Sequence, residues 1–198
     1  MSLMNFPQPS VGPTDLAWLR EKLVLDAGAA GLLDVAFRVV DTPVGPLLLA
    51  TTTVGLVRVA YVADGSDAVL DELSRRISPR VLDAPLRLDP VVRQLDEYFA
   101  GTRTHFDLPL DLRLADGFRR EVITRLPDIE YGHTASYAEI AAAAGSPRAV
   151  RAVGTACAKN PLPVVVPCHR VVRSDGSMGQ YVGGVDAKKA LLQLESVA

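Results

Sequence analysis

The sequence predicts an α+β protein: a small antiparallel sheet with helices, followed by a mainly helical half containing a helix-turn-helix. Three observations lead there. Between Asp34 and Val62 the apolar residues alternate with a period of two, in three short runs separated by turn residues. Two amphipathic segments, Ala68–Ile77 and Pro90–Phe99, then carry the helical period. From residue 117 helical spacing returns, with cap residues marking where helices start and stop. Strands grouped first and helices grouped last indicate α+β architecture.

The elements follow in order. Met1-Ser2-Leu3 precedes a second methionine, Met4, and reads as an added leader, and Asn5–Pro13 as a disordered, proline-containing stretch. Thr14–Ala27 reads as a helix capped by Thr14 and ended by Gly28, with Leu16, Leu19 and Leu23 on one face and Trp18 beside it. Val35, Phe37 and Val39 alternate along a first strand, Pro43-Val44-Gly45 turns the chain into Leu47–Thr51, and Leu56–Val62 completes a meander. Leu108–Leu114 links the two halves, and Phe118–Leu126 is helical through Phe118, Val122, Ile123 and Leu126. The expected division is an extension over 1–33, an α+β unit over 34–107, a linker over 108–116 and a second unit over 117–198.

Ser136-Tyr137-Ala138-Glu139 is a capping box, so a helix starts at Ser136 and runs to Gly145, which suits a left-handed C′ position. Ser146 caps a second helix with Pro147 at its first position. Val150, Val153, Gly154 and Cys157 share one face of that helix, while Arg148, Arg151, Thr155 and Lys159 share another. Two short helices, a glycine turn and a basic outer face spell a helix-turn-helix, although a helical hairpin packed on a core has the same pattern.

Composition sets bounds. The 198 residues are 48% hydrophobic, enough for one compact unit or two small ones. No stretch is long enough to span a membrane, and the N-terminus lacks the pattern of a signal peptide. Two cysteines, Cys157 and Cys168, make no disulfide framework and fit a reducing cytoplasm. His105, His133 and His169 are scattered and no Cys-x-x-Cys occurs, so no metal and no cofactor is expected. The net charge of −2 hides an asymmetry: residues 1–116 hold 11 basic against 16 acidic side chains, and residues 117–198 hold 10 against 7. Ser146–Arg173 carries five basic residues and no acid, the local surface that phosphate binding requires.

The chemistry gathers in Val164–Val172, Val-Val-Val-Pro-Cys-His-Arg-Val-Val. Its β-branched opening predicts a buried strand, broken by Pro167 and followed by a thiol, an imidazole and a guanidinium in succession. An imidazole or cation beside a cysteine raises its thiolate fraction, yet a lone cysteine is as often a small buried hydrophobe.

Pro167-Cys168-His169-Arg170-Val171 resembles the active-site signature of the O6-alkylguanine-DNA alkyltransferases, or methylated-DNA–protein-cysteine methyltransferases. The likeness runs from Gly117 to Glu195 through Ser136-Tyr137, Arg151-Ala152-Val153-Gly154, Asn160-Pro161 and Gly179-Gln180-Tyr181-Val182-Gly183-Gly184. It implies single-turnover repair, in which a cysteine takes the alkyl group from O6 of guanine in duplex DNA, O4-alkylthymine being a further candidate substrate, and keeps it. By resemblance Cys168 is the nucleophile, His169 the base reaching it through water, Glu195 the carboxylate orienting that imidazole, and Tyr137 the phenol supporting guanine N3. The family's second helix enters the minor groove, where Arg151 would fill the space of a rotated-out base, with Arg148, Thr155 and Lys159 beside it. Tyr181, Val182, Val171 and Met178 would line the base pocket, and Asn160 and Arg170 would support it structurally. Val182 stands where some relatives carry serine, which keeps a backbone donor but no hydroxyl. The first-half zinc site of some relatives has no matching ligands here.

Three other readings compete. A sensor of alkylated DNA would lack the cysteine, and Cys168 is present. A Cys-His hydrolase would need an oxyanion hole that nothing in the sequence suggests. Regulators in the family carry an extra metal-binding module that this chain lacks the ligands for. The expected partner is duplex DNA carrying O6-alkylguanine, engaged by a monomer with no membrane attachment.

Overall fold

The computed structural model describes residues 13–196. Residues 1–12, on which the expected leader and most of the expected disordered stretch fall, lie outside the described residues, as do the side chains of Thr14 and Leu16. Helix α1 spans Pro13–Ala29. Its stop is at Gly31 rather than Gly28: Gly31 has φ +66, and Leu32 N donates back to Ala27 O at 2.7 Å. The packed face also differs from the expected one. Val24 and Ala27 rest on Leu33, Ala36, Leu82 and Ala84, whereas Trp18, Leu19 and Leu23 are exposed.

The meander forms as predicted, with β1 at Val35–Val40, β2 at Leu47–Thr51 and β3 at Leu56–Tyr61. β1–β2 and β2–β3 pair antiparallel. The pattern did not reveal β4, Val81–Asp83, which pairs parallel to β1 and gives the order β3-β2-β1-β4. Three residues are too few to show a period. Helices α2 (Ser66–Arg76) and α3 (Asp89–Phe99) cover the sheet, burying Val69 and Leu73 from one and Val91, Leu95 and Tyr98 from the other. The linker is itself tied to the sheet, since Leu56 N donates to Pro109 O at 2.8 Å and Asp111 N to Leu56 O at 2.8 Å. Gly55 permits that approach, because a Cβ there would overlap the Pro109 carbonyl.

The second half begins with α4, Gly117–Arg125. A two-residue strand β5, Ala135–Ser136, leads into α5, Tyr137–Ala143. The capping box is complete: Ser136 N donates to Glu139 Oε2 at 2.6 Å, and Glu139 N donates to Ser136 Oγ at 3.2 Å. At the other end Ser146 N reaches Ala141 O and Gly145 N reaches Ala142 O, with Gly145 at φ +73. Helix α6 then spans Val150–Ala158, three residues later than the Ser146-Pro147 signal predicts. Ala149 N donates to Ser146 O, so these residues form a turn that delivers the chain to α6.

Beyond α6 the largest departure appears. The apolar run is no strand: Leu162–Val166 is a buried turn closed by Val166 N donating to Leu162 O at 2.8 Å, with Val164 at φ +72. Prolines at 161, 163 and 167 deny a ladder its donors, which outweighs the β-branched composition. Only Val171–Val172 pairs, as β6, parallel to β5. Helix α7, Gly184–Ser196, closes the fold. One core runs through both halves, joining Leu47, Leu95 and Tyr98 to Ile123, Val153, Val166 and Leu191.

Gly145 has open space where a Cβ would go, so any cost of replacing it is conformational. Gly145→Ala is expected to lower unfolding stability by about 1–2 kcal/mol, the penalty of a left-handed residue with a Cβ, read from urea unfolding curves.

Candidate active site

Cys168, His169 and Arg170 form a single 3₁₀ turn directly after the buried turn, and all three are buried. Asn160, just past α6, holds this region. Its Nδ2 donates to Val166 O at 2.9 Å and to Cys168 Sγ at 3.1 Å, and its Oδ1 accepts from Leu162 N at 3.0 Å. Burial pushes the Cys168 thiol up, and the Asn160 hydrogen bond offsets part of that, leaving it at about 11. The resting group is therefore a thiol, and it needs a base to react.

His169 is fully buried, with Nε2 at 2.7 Å from Glu195 Oε1. Burial alone would lift the Glu195 carboxyl, but hydrogen bonds from His169 and Arg170 overcome it and hold the group at about 2. Facing an ionised acceptor, Nε2 carries the proton. Burial lowers the His169 pKa despite its carboxylate, so the ring is neutral at pH 7. Nδ1, buried and without a protein partner, then holds the lone pair of a base.

Arg170 makes no contact with the thiol. Its Nε and Nη2 donate to Glu195 at 2.8 and 3.0 Å, and its Nη1 donates to Ile129 O at 2.6 Å. Glu195, which α7 could have left at the edge of its apolar stripe, is instead 2% exposed.

Tyr137, at the start of α5, lies half-buried against Gly154 and Gly179, where a Cβ on Gly179 would collide with the phenol oxygen. Tyr181 is buried, its ring edge-on to His169 at 6.3 Å. Val182 packs on the main core and faces a cleft shared with Tyr61, Lys159, Asn160 and Pro161. Val171 is fully buried, while Met178 is 38% exposed. On α6 and the turn before it, Arg148, Arg151, Thr155 and Lys159 are all exposed. The structure thus brings Cys168, His169, Glu195, Asn160 and Arg170 into one buried cluster, with the basic residues on an outer face.

Two residues were missed. Lys188 on α7 is fully buried, and its Nζ donates to Val171 O at 2.6 Å. Burial lowers its pKa, while the neighbouring thiols Cys168 and Cys157 raise it. Its place beside Ala187 and Leu191 on the apolar stripe was the available signal, since a lysine there has to be paired. The second is Tyr98, whose hydroxyl donates to Glu195 Oε1 at 2.7 Å; no sequence signal connects positions so far apart. Among the described residues no group of three or more His, Cys, Asp or Glu side chains is arranged to hold a metal ion. No helix among them is long and apolar enough to cross a membrane.

Comparison with known proteins converges on one group. Residues 35–112 match the family profile described as 6-O-methylguanine DNA methyltransferase, ribonuclease-like domain, and residues 117–197 match its DNA binding domain. A methylated-DNA–protein-cysteine methyltransferase of Mycobacterium tuberculosis is 40% identical over 166 residues, covering 81% of this chain and 92% of the relative. The Mus musculus protein of that name is 37% identical, covering 79% of this chain and 78% of its own. The crystal structure of the M. tuberculosis O6-methylguanine methyltransferase superposes with a TM-score of 0.73 at 39% identity, covering 82% of this chain and 93% of that one. A structure of M. tuberculosis OGT in complex with DNA gives 0.72 at 40% identity, with the same coverage.

Two outcomes follow from the geometry. Asn160→Ala leaves Leu162 N unpaired in the core and Val166 O with Cys168 N as its remaining donor, and is expected to cost about 2 kcal/mol in urea unfolding. Glu195 has a folded pKa of about 2 against an ordinary 4.5. Its contribution is therefore complete above about pH 4.5 and lost as pH falls toward 2. Glu195→Gln should flatten that acid segment of the stability curve.

Proposed function

The chain belongs to the 6-O-methylguanine DNA methyltransferase family, and from that premise we propose that Cys168 is its alkyl acceptor, with His169, Glu195 and Tyr137 as the groups that make transfer possible. The activity is repair of DNA by direct, irreversible transfer of an alkyl group from O6-alkylguanine to the protein's own cysteine. One observation carries the assignment of residues. Glu195 fixes the Nε2–H tautomer of a neutral His169, which leaves a buried, basic Nδ1 on the residue that follows a buried thiol kept protonated by burial.

In the step we propose, His169 Nδ1 takes the Cys168 proton through a water. The sulfur attacks the alkyl carbon, a C–S bond forms, and the C–O6 bond breaks with its electron pair passing to guanine. Tyr137 donates a hydrogen bond to N3 as charge develops there, and the proton taken from the thiol completes the released guanine. The product is a thioether, which nothing in the site reverses.

The base must leave the stack to reach a buried sulfur, at a cost of a few kcal/mol. Arg151, exposed on α6, fills the vacated space from the minor groove, and Arg148, Thr155 and Lys159 hold the backbone beside it. Tyr181, Val182, Val171 and Met178 form the wall that receives the base, with a backbone N–H near Val182 serving O6. Asn160 and Arg170 support the site without reacting. The same reading divides the chain into an extension over 1–33, an α+β domain over 34–107, a linker over 108–116 and the alkyltransferase domain over 117–198. One-base chemistry needs only a monomer, and two free buried thiols suit the reducing cytoplasm.

Intact-protein mass after incubation with duplex DNA containing O6-methylguanine tests the assignment. One methyl per protein, localised to Cys168 and absent from Cys168→Ser, is expected; Arg151→Ala should slow transfer at least tenfold, about 1.4 kcal/mol. Methyl found on another residue, or tight binding with no mass gain, would refute it.

A further inference from the structure

Glu195 Oε1 is shared by three donors: His169 Nε2 at 2.7 Å, Tyr98 Oη at 2.7 Å and Arg170 Nη2 at 3.0 Å. Two of these come from the turn that carries Cys168. The third comes from α3, in the half of the chain that holds the sheet. Tyr98 is fully buried, and its ring is fixed among Phe99 and Phe106, each with its centroid at 5.3 Å, and Tyr131 at 6.2 Å.

We propose that Tyr98 is a positioning residue for alkyl transfer: its hydroxyl sets the Glu195 carboxylate against His169 and tunes the imidazole, so that the first half supplies part of the reacting relay. The proposal rests on Cys168 being the acceptor. A buried phenol needs an acceptor, and any backbone carbonyl would satisfy it. Here the acceptor is the oxygen that also receives the imidazole N–H. Each additional donor on one carboxylate oxygen draws charge from it and weakens its pull on the others. The basicity of His169 Nδ1 therefore depends on how strongly Tyr98 donates.

Tyr98 is suited to that task at every working pH. Burial, together with the neighbouring Glu195 charge, raises its pKa well above the ordinary phenol value, so it remains a donor. The other titratable and charged groups facing the pair are few. Arg170 comes from the turn that carries His169, Lys188 from α7, Tyr131 from the segment after α4, and Tyr181 from the loop before α7. Tyr98 is the residue through which α3 acts on them.

The test is the pH dependence of single-turnover methyl transfer from an O6-methylguanine duplex. Tyr98→Phe keeps the ring and removes the donor. Charge returns to Glu195, His169 becomes more basic, and the acid limb of the profile is expected to move up by about half a pH unit. The plateau rate should fall several-fold, because the carboxylate has lost one anchor. Site-specific 3-fluorotyrosine at position 98, a stronger donor of nearly the same shape, should move the limb down. Thermal melting reports the folding of both proteins, and if Tyr98→Phe fails to fold, the fluorotyrosine protein decides alone. Acid limbs that coincide with the unsubstituted chain would overturn the proposal and leave Tyr98 as packing. Absence of transfer by the unsubstituted chain would instead remove the acceptor assignment, and this proposal with it.

Discussion

The site depends on one buried carboxylate. Glu195 is 2% exposed, and an isolated charge in such a place would be neutralised by proton uptake. It stays ionised because four hydrogen bonds reach its two oxygens, from His169, from Arg170 twice, and from Tyr98. Those donors belong to α3 and to the turn carrying Cys168, while the carboxylate belongs to α7. The anion thus fixes three elements at once, and it also sets the tautomer of the imidazole. Losing it would strand an arginine and a histidine in the core together, so fold and reactivity share the same interaction.

The chain that leads into the turn holding that anion is irregular backbone. The segment from Asn160 to Pro167 forms no helix or strand, and a buried loop of this kind must still satisfy its polar groups, Pro161 O doing so by accepting from Val59 N of β3. Asn160 does so by imitating a backbone unit, accepting from Leu162 N and donating to Val166 O, with its other amide hydrogen left for Cys168 Sγ. Val164 adopts φ +72 within the turn, where a β-branched residue pays about 1–3 kcal/mol. Packing in the common core, where Val164 is 1% exposed, holds it there. The outcome places the sulfur at the inner end of a rigid turn, while α6 keeps its basic side chains outside.

Much of this was legible in the sequence, and the pattern of successes is physical. The three meander strands, the capping box and the Gly145 turn rest on local rules, and the structure follows them within a residue or two. Cys168, His169 and Glu195 were legible through resemblance, since an acid at the margin of the α7 stripe would otherwise read as solvated. Local rules failed where tertiary context decided. The Val164–Val166 run has strand composition but is flanked by Pro163 and Pro167, which have no backbone donor to extend a ladder, and Ser146-Pro147 imitates a helix start while forming a turn. Leu19 and Leu23 share a face of α1 without burying it, because Val24 and Ala27 make the contact. Tyr98 and Lys188 meet their partners only across the folded core, which no periodicity encodes.

The protonation state of the thiol connects these features to single use. With burial pushing its pKa up to about 11, Cys168 rests as a thiol at pH 7. A reusable enzyme would be handicapped by so inert a nucleophile. A protein that is consumed in its one reaction faces a different constraint, because any stray electrophile that reaches the sulfur destroys it. Burial answers that constraint by suppressing thiolate, and in the step proposed above the His169–Glu195 pair restores it when a proton passes to Nδ1. On that proposal, inertness at rest and reactivity toward a lesion both follow from the burial of Cys168 and His169.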